Sequence, residues 1–100
     1  MYESKNEGKY EGEWVADMKC KKGTMEFISG NVYTGNWKNG MFHALGKMIY
    51  VSGSIQFYDG EWHSNKKQGK GTLVFRNGDI FEGQFQNDMV SLPIYFVIIF

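Results

Sequence analysis

The chain is poor in several residues that would widen its functional range. Among 100 residues there is one proline, one cysteine, two histidines and one arginine. Cys20 alone cannot close a disulfide within the chain, and it has no second thiol for a zinc site. A single thiol suits a reducing compartment, so the expected location is cytoplasmic. Arg76 alone provides no cluster of guanidinium forks for phosphate. Eleven basic residues are matched by eleven acidic ones, so no net charge draws the chain to nucleic acid, and nucleic acid is not an expected partner. His43 and His63 belong to separate segments without motif partners, and no Ser-His-Asp set, phosphate loop or metal-ligand spacing is present. The chain is therefore not expected to be an enzyme, and neither cofactor nor metal is implied. The N-terminal residues are polar and contain no apolar core of a secretory signal. At this length the chain makes at most one small domain.

What it has in plenty is aromatic residues, at 17%, and 13 glycines. They fall into a recurring phrase. Tyr10-Glu-Gly12-Glu-Trp14 is followed by Tyr33-Thr-Gly35-Asn-Trp37, Tyr58-Asp-Gly60-Glu-Trp62 and Phe81-Glu-Gly83-Gln-Phe85, at steps of 23, 25 and 23 residues. Such a period marks one supersecondary unit copied and stacked. Nine residues after each tryptophan comes a second glycine, at Gly23, Gly46 and Gly71. Apolar residues follow two and four positions later, at Met25 and Phe27, Met48 and Tyr50, and Leu73 and Phe75. Gly30, Gly53 and Gly78 then open a further turn.

Both runs alternate with a period of two, which indicates strands. Tyr10, Gly12 and Trp14 share one face and Glu11 and Glu13 the other. The polar segments Val15–Lys22, Lys38–Leu45 and His63–Lys70 read as turns. Each unit is then a β-hairpin. The predicted fold is all-β, an elongated single-layer antiparallel sheet of stacked hairpins. Gly12, Gly35, Gly60 and Gly83 leave gaps that let a ring lie close to the backbone, the alternative being a bulge or a positive-φ position, while the turn glycines 30, 53 and 78 call for positive φ. Two extra residues between Gly53 and Tyr58 predict a bulge or longer turn there.

These residues resemble the MORN repeat, a hairpin with the pattern Tyr-x-Gly-x-Trp-x-x-Gly-x-x-His-Gly-x-Gly. The resemblance covers residues 9 to 89, divided into repeats near 10–32, 33–57 and 58–80 and a partial one at 81–89, after a polar segment at 1–9. At the His-Gly positions the chain has Cys20-Lys21, His43-Ala44 and Gln68-Gly69, so only His43 and Gly69 match. The resemblance implies a non-enzymatic scaffold for protein–protein interaction, with cytoskeletal, ciliary or peripheral membrane settings. An alternative that the resemblance also allows is the regulatory part of a larger enzyme such as a phosphatidylinositol phosphate kinase.

Two surfaces are candidates. Tyr10, Trp14, Tyr33, Trp37, Tyr58, Trp62, Phe81 and Phe85 form one aromatic face, expected to bind another protein where it is not consumed as the fold's own core. Lys19, Lys21, Lys22, Lys38, Lys66, Lys67 and Lys70 fall beside the first turns and should line one edge, suited to acidic phospholipid. A second copy of the chain is a further expected partner. After Met89 the template fails, and residues 90–100 run without a charge through Val-Ser-Leu-Pro-Ile-Tyr-Phe-Val-Ile-Ile-Phe. They are too short to span a bilayer, which takes about 20 residues. Capping strand and truncated anchor compete with sequence foreign to the array, from a frame change or retained intron. The abrupt loss of pattern favours the last, and a coding frame uninterrupted across Met89 would exclude it. The broken final repeat suggests a segment of a longer array, or a marginal protein that relies on a partner.

Overall fold

In a computed structural model the backbone is described for residues 2–4 and 8–98 and the side chains for residues 8–88. Nine strands follow one another: β1 (Tyr2–Ser4), β2 (Gly8–Val15), β3 (Met18–Phe27), β4 (Val32–Lys38), β5 (Met41–Ile49), β6 (Ile55–His63), β7 (Lys66–Phe75), β8 (Asp79–Gln86) and β9 (Met89–Ile98). Each pairs antiparallel with its predecessor, so spatial order equals chain order in one open sheet. The predicted stack of hairpins is the observed architecture. At about 4.8 Å per strand, the stacking direction accounts for the longest of the 42 × 24 × 17 Å dimensions.

The eight-residue polar segments are not turns. Val15 pairs with Met18, Lys38 with Met41, His63 with Lys66 and Gln86 with Met89, so each hairpin closes in two residues. Both residues of every closure have positive φ: Ala16 and Asp17, Asn39 and Gly40, Ser64 and Asn65, Asn87 and Asp88. That is the demand of a type I′ turn, whose twist matches that of the flanking strands. The remaining polar residues continue the strands, because this end of the sheet is open to water. At the opposite ends Gly30, Gly53 and Gly78 take φ of +97°, +86° and +98°, as expected of turn glycines. The two extra residues produce both a longer loop at 50–54 and a bulge between Ile55 and Phe57.

The core lies on one face of the single sheet. Tyr10, Tyr33 and Tyr58 are fully buried, and Met25, Trp37, Met48, Trp62, Leu73, Phe81 and Phe85 are nearly so. Each tyrosine ring reaches along its own strand over the paired glycines ahead of it, so a Cβ at Gly23, Gly46 or Gly71 would strike the ring. The ring of the next repeat then seals it: Trp37 stands edge-on to Tyr10 at 5.3 Å, Trp62 to Tyr33 at 5.6 Å and Phe85 to Tyr58 at 5.1 Å. One layer thus makes its own core, because every ring is covered by a neighbour rather than by a second sheet.

Although the repeat template fails after Met89, the segment forms the second strand of a fourth hairpin, the edge-pairing arrangement of the capping-strand reading. β9 pairs with β8 from Met89 opposite Gln86 to Ile98 opposite Asp79. Pro93, which has no N–H to donate, falls where the register shifts between Ser91 and Ile94, and β9 is an edge strand of the sheet. None of the described residues forms a helix long and apolar enough to cross a membrane. The last two residues of the expected tail lie outside the described residues, as do residues 1 and 5–7 of the expected N-terminal segment, whose remainder supplies β1 and the start of β2.

Candidate functional site

A bulge after the phrase glycine shapes each repeat, at Gly12/Glu13, Gly35/Trp37, Gly60/Trp62 and Gly83/Gln84. The phenol pins it: Tyr10, Tyr33 and Tyr58 donate to the carbonyls of Glu13, Asn36 and Glu61 at 3.0, 2.8 and 3.0 Å. The residue after the glycine reaches across to the partner strand. Glu13 and Glu61 accept from the backbone N–H groups of Lys22 and Lys70, and Asn36 donates to the Leu45 carbonyl. The indoles of Trp37 and Trp62 donate to the carbonyls of Gly23 and Gly46, each at 3.0 Å. Burial pushes the phenols of Tyr10, Tyr33 and Tyr58 above the ordinary tyrosine range, and the nearby Cys20 adds to the rise at Tyr10.

The expected aromatic binding face is therefore mostly core. Seven of its eight rings are buried, and Trp14, in the first repeat, keeps 38% of its surface exposed. What remains open is a second row of half-buried rings beside it, including Phe27, Phe42, Tyr50 and Phe75. Phe42 stacks on Tyr33 at 4.1 Å and meets Phe27 edge-on at 6.0 Å. Between them runs a groove of about 490 Å³, lined by Lys19, Met25, Phe27, Ser29, Asn31, Trp37, Gly40, Phe42, Met48 and Asn65. The larger depressions, of about 580 and 640 Å³, are lined mainly by polar residues such as Asp59, Lys70, Glu82 and Gln84, or His43, Glu61, His63 and Gln68.

The lysine edge divides. Lys21, Lys22, Lys38, Lys66 and Lys70 are exposed. Lys19 and Lys67 stand opposite Trp14 and Trp62 in register, and alternation turns them onto the aromatic face. Lys19 lies 5.3 to 5.6 Å from the rings of Tyr10, Trp14 and Trp37, and Lys67 lies 5.5 to 5.9 Å from those of Tyr50, Tyr58 and Trp62. His43 and His63 come together, with ring centroids 5.4 Å apart, because Ala44 pairs with Trp62 across β5 and β6. No cluster of three potential metal ligands occurs among the described residues. Phe42 did not stand out in the sequence, and Lys19 and Lys67 stood there only as members of the lysine edge, not as residues of the aromatic face. Comparing the position five residues after each tryptophan, occupied by Lys19, Phe42 and Lys67, is the signal that finds them.

A ladder of identical hairpins, its rings sealed between repeats and a groove along one face, defines a repeat scaffold. The MORN-repeat family model matches three consecutive stretches, residues 10–32, 33–55 and 58–80. The chain belongs to the MORN-repeat family, a structural repeat module rather than a catalytic one. No curated protein matches the chain as a relative.

Proposed function

We propose that the chain is a non-enzymatic scaffold that binds a segment of another protein in the groove between Phe27, Phe42 and Met48. The observation that carries this reading is the open, half-buried second row of rings beside a core that is already sealed. Those rings pack against the core on one side and leave the other side open to a partner. A displayed library of random short peptides, selected on the full chain, supplies probes. Bound peptides should shift the methyl resonances of Met25 and Met48 and the indole N–H of Trp37. Shifts confined to Thr24, Thr34 and Thr72 on the other face, or no enrichment, would end the groove reading.

The exposed lysines near the hairpin closures support a second reading, weak binding to acidic phospholipid. Glu13 and Glu61 reach into the same region, beside Lys22 and Lys70, and reduce its positive character. Sedimentation with phosphatidylserine vesicles decides it, because an electrostatic contact must weaken as salt shortens the Debye length.

A further inference from the structure

The groove has a charge asymmetry that follows from one column of the repeats. Lys19 and Lys67 are equivalent positions, both half-buried and both over three rings. Lys67 has a carboxylate: Asp88, in the closure of the next hairpin, lies 3.9 Å from its ammonium. The residue standing to Lys19 as Asp88 stands to Lys67 is Gly40. The backbone makes the same bond in both places, Asp88 N–H to the Lys67 carbonyl at 3.0 Å and Gly40 N–H to the Lys19 carbonyl at 2.9 Å. At Gly40 there is no side chain, and a Cβ built there meets nothing within 4 Å. No carboxylate lines the groove, and among the described residues no acidic side chain forms an ion pair with Lys19.

We infer that the partner segment supplies this carboxylate. It would carry an Asp or Glu that meets the Lys19 ammonium above Gly40, next to apolar side chains seated against Phe27, Phe42 and Met48. The inference rests on the groove reading above and adds the chemistry of its occupant. The chain itself shows the contact, since Lys67 and Asp88 make it internally on the same scaffold. The setting strengthens it: an ammonium held against aromatic faces is partly desolvated, and its pairing is screened less than that of a surface lysine.

The test uses the full chain and fluorescein-labelled copies of the library-selected peptides, read by anisotropy. Enriched peptides should share an acidic residue among apolar ones. Lys19→Met keeps the stem over the rings but removes the charge, and should weaken binding about tenfold, the loss expected of one charge-assisted contact. Lys19→Arg should retain it. Gly40→Asp supplies the carboxylate internally and should weaken binding about as much as Lys19→Met. Gly40→Asn, of the same size without charge, should cost much less, and matching thermal melts of both position-40 variants show that the fold is intact. Groove-binding peptides without a carboxylate, or peptides indifferent to Lys19→Met, would overturn this inference and leave the groove reading standing. So would equal losses from Gly40→Asp and Gly40→Asn, which indicate crowding. Peptides that bind elsewhere, no enrichment, or response only to phosphatidylserine vesicles would remove both.

Discussion

Seven residues after each tryptophan the backbone turns left-handed, with φ of +54° at Lys21, +57° at Ala44 and +87° at Gly69. An L-residue with a Cβ gives up about 1–2 kcal/mol in that conformation. Two repeats therefore carry strain that the third avoids, and the third is where the chain keeps the glycine of the MORN pattern. Ala44→Gly should raise the melting temperature by a few degrees, since relief of strain exceeds the roughly 0.4–1 kcal/mol of extra unfolded-state freedom. Gly69→Ala should lower it by more, because its new Cβ would also meet the Glu61 carboxylate at 2.8 Å. Thermal melts by circular dichroism check both, and a lower melting temperature for Ala44→Gly would refute the account. This column was visible in the sequence as a departure from the family pattern. Its meaning was not, because positive φ at a lysine or alanine leaves no mark in composition or periodicity.

At the level of the hairpin, each unit is fastened to the next by its closing turn. Asn65 and Asp88 accept from the backbone N–H groups of Phe42 and Lys67 at 2.9 and 2.8 Å while their own N–H groups donate to the same residues' carbonyls. Gly40 makes the backbone half of this clasp with Lys19 and has no side chain for the other half. Gly40→Asn should add the missing bond at a φ of +78° that asparagine tolerates, and stabilise the sheet by about 0.5–1.5 kcal/mol. Asn65→Gly should cost a similar amount. Urea titrations that move the midpoint at constant slope are the expected result, and an unchanged midpoint for both would dismiss the clasp. Strands, alternation and hairpin pairing could all be read from the aromatic-x-Gly-x-aromatic phrase, because burial on one face imposes period two. The closures could not be placed so well. Lysines after each tryptophan look like loop, yet a strand with a wet face accepts them, and only the pairs Asn39-Gly40 and Ser64-Asn65 betray a two-residue turn. Arg76 shows the same limit. It is the chain's one guanidinium, and it is spent on the carbonyls of Gly53 and Tyr50, holding the longer loop of the second repeat.

Across the whole molecule, stability depends on one tyrosine in each full repeat, wedged between its own bulge and the ring of the next repeat. All three phenols are buried, and burial raises their pKa above the ordinary value. The sign of the pH effect follows. Below about pH 10 both the folded and unfolded chains keep these protons, and stability does not depend on them. Above it the unfolded chain releases them while the folded chain does not, so the unfolded state binds fewer protons and stability falls with rising pH. Tyr33 and Tyr58 each contribute a slope approaching about 1.4 kcal/mol per pH unit, together about 3, and Tyr10 adds in the same direction. A small domain has only about 5–15 kcal/mol to lose, so the sheet should collapse within a few pH units of the onset. Because each ring seals its neighbour's repeat, the loss should be cooperative, with tyrosinate absorbance from these phenols appearing together with the loss of the strand signal in circular dichroism. Tyr33→Phe should flatten the alkaline limb while lowering stability at neutral pH by about 1 kcal/mol through the lost bond to the Asn36 carbonyl. If the buried phenols ionise near pH 10 with the sheet intact, the rings are not sealed and the single layer must owe its stability to something other than this ladder.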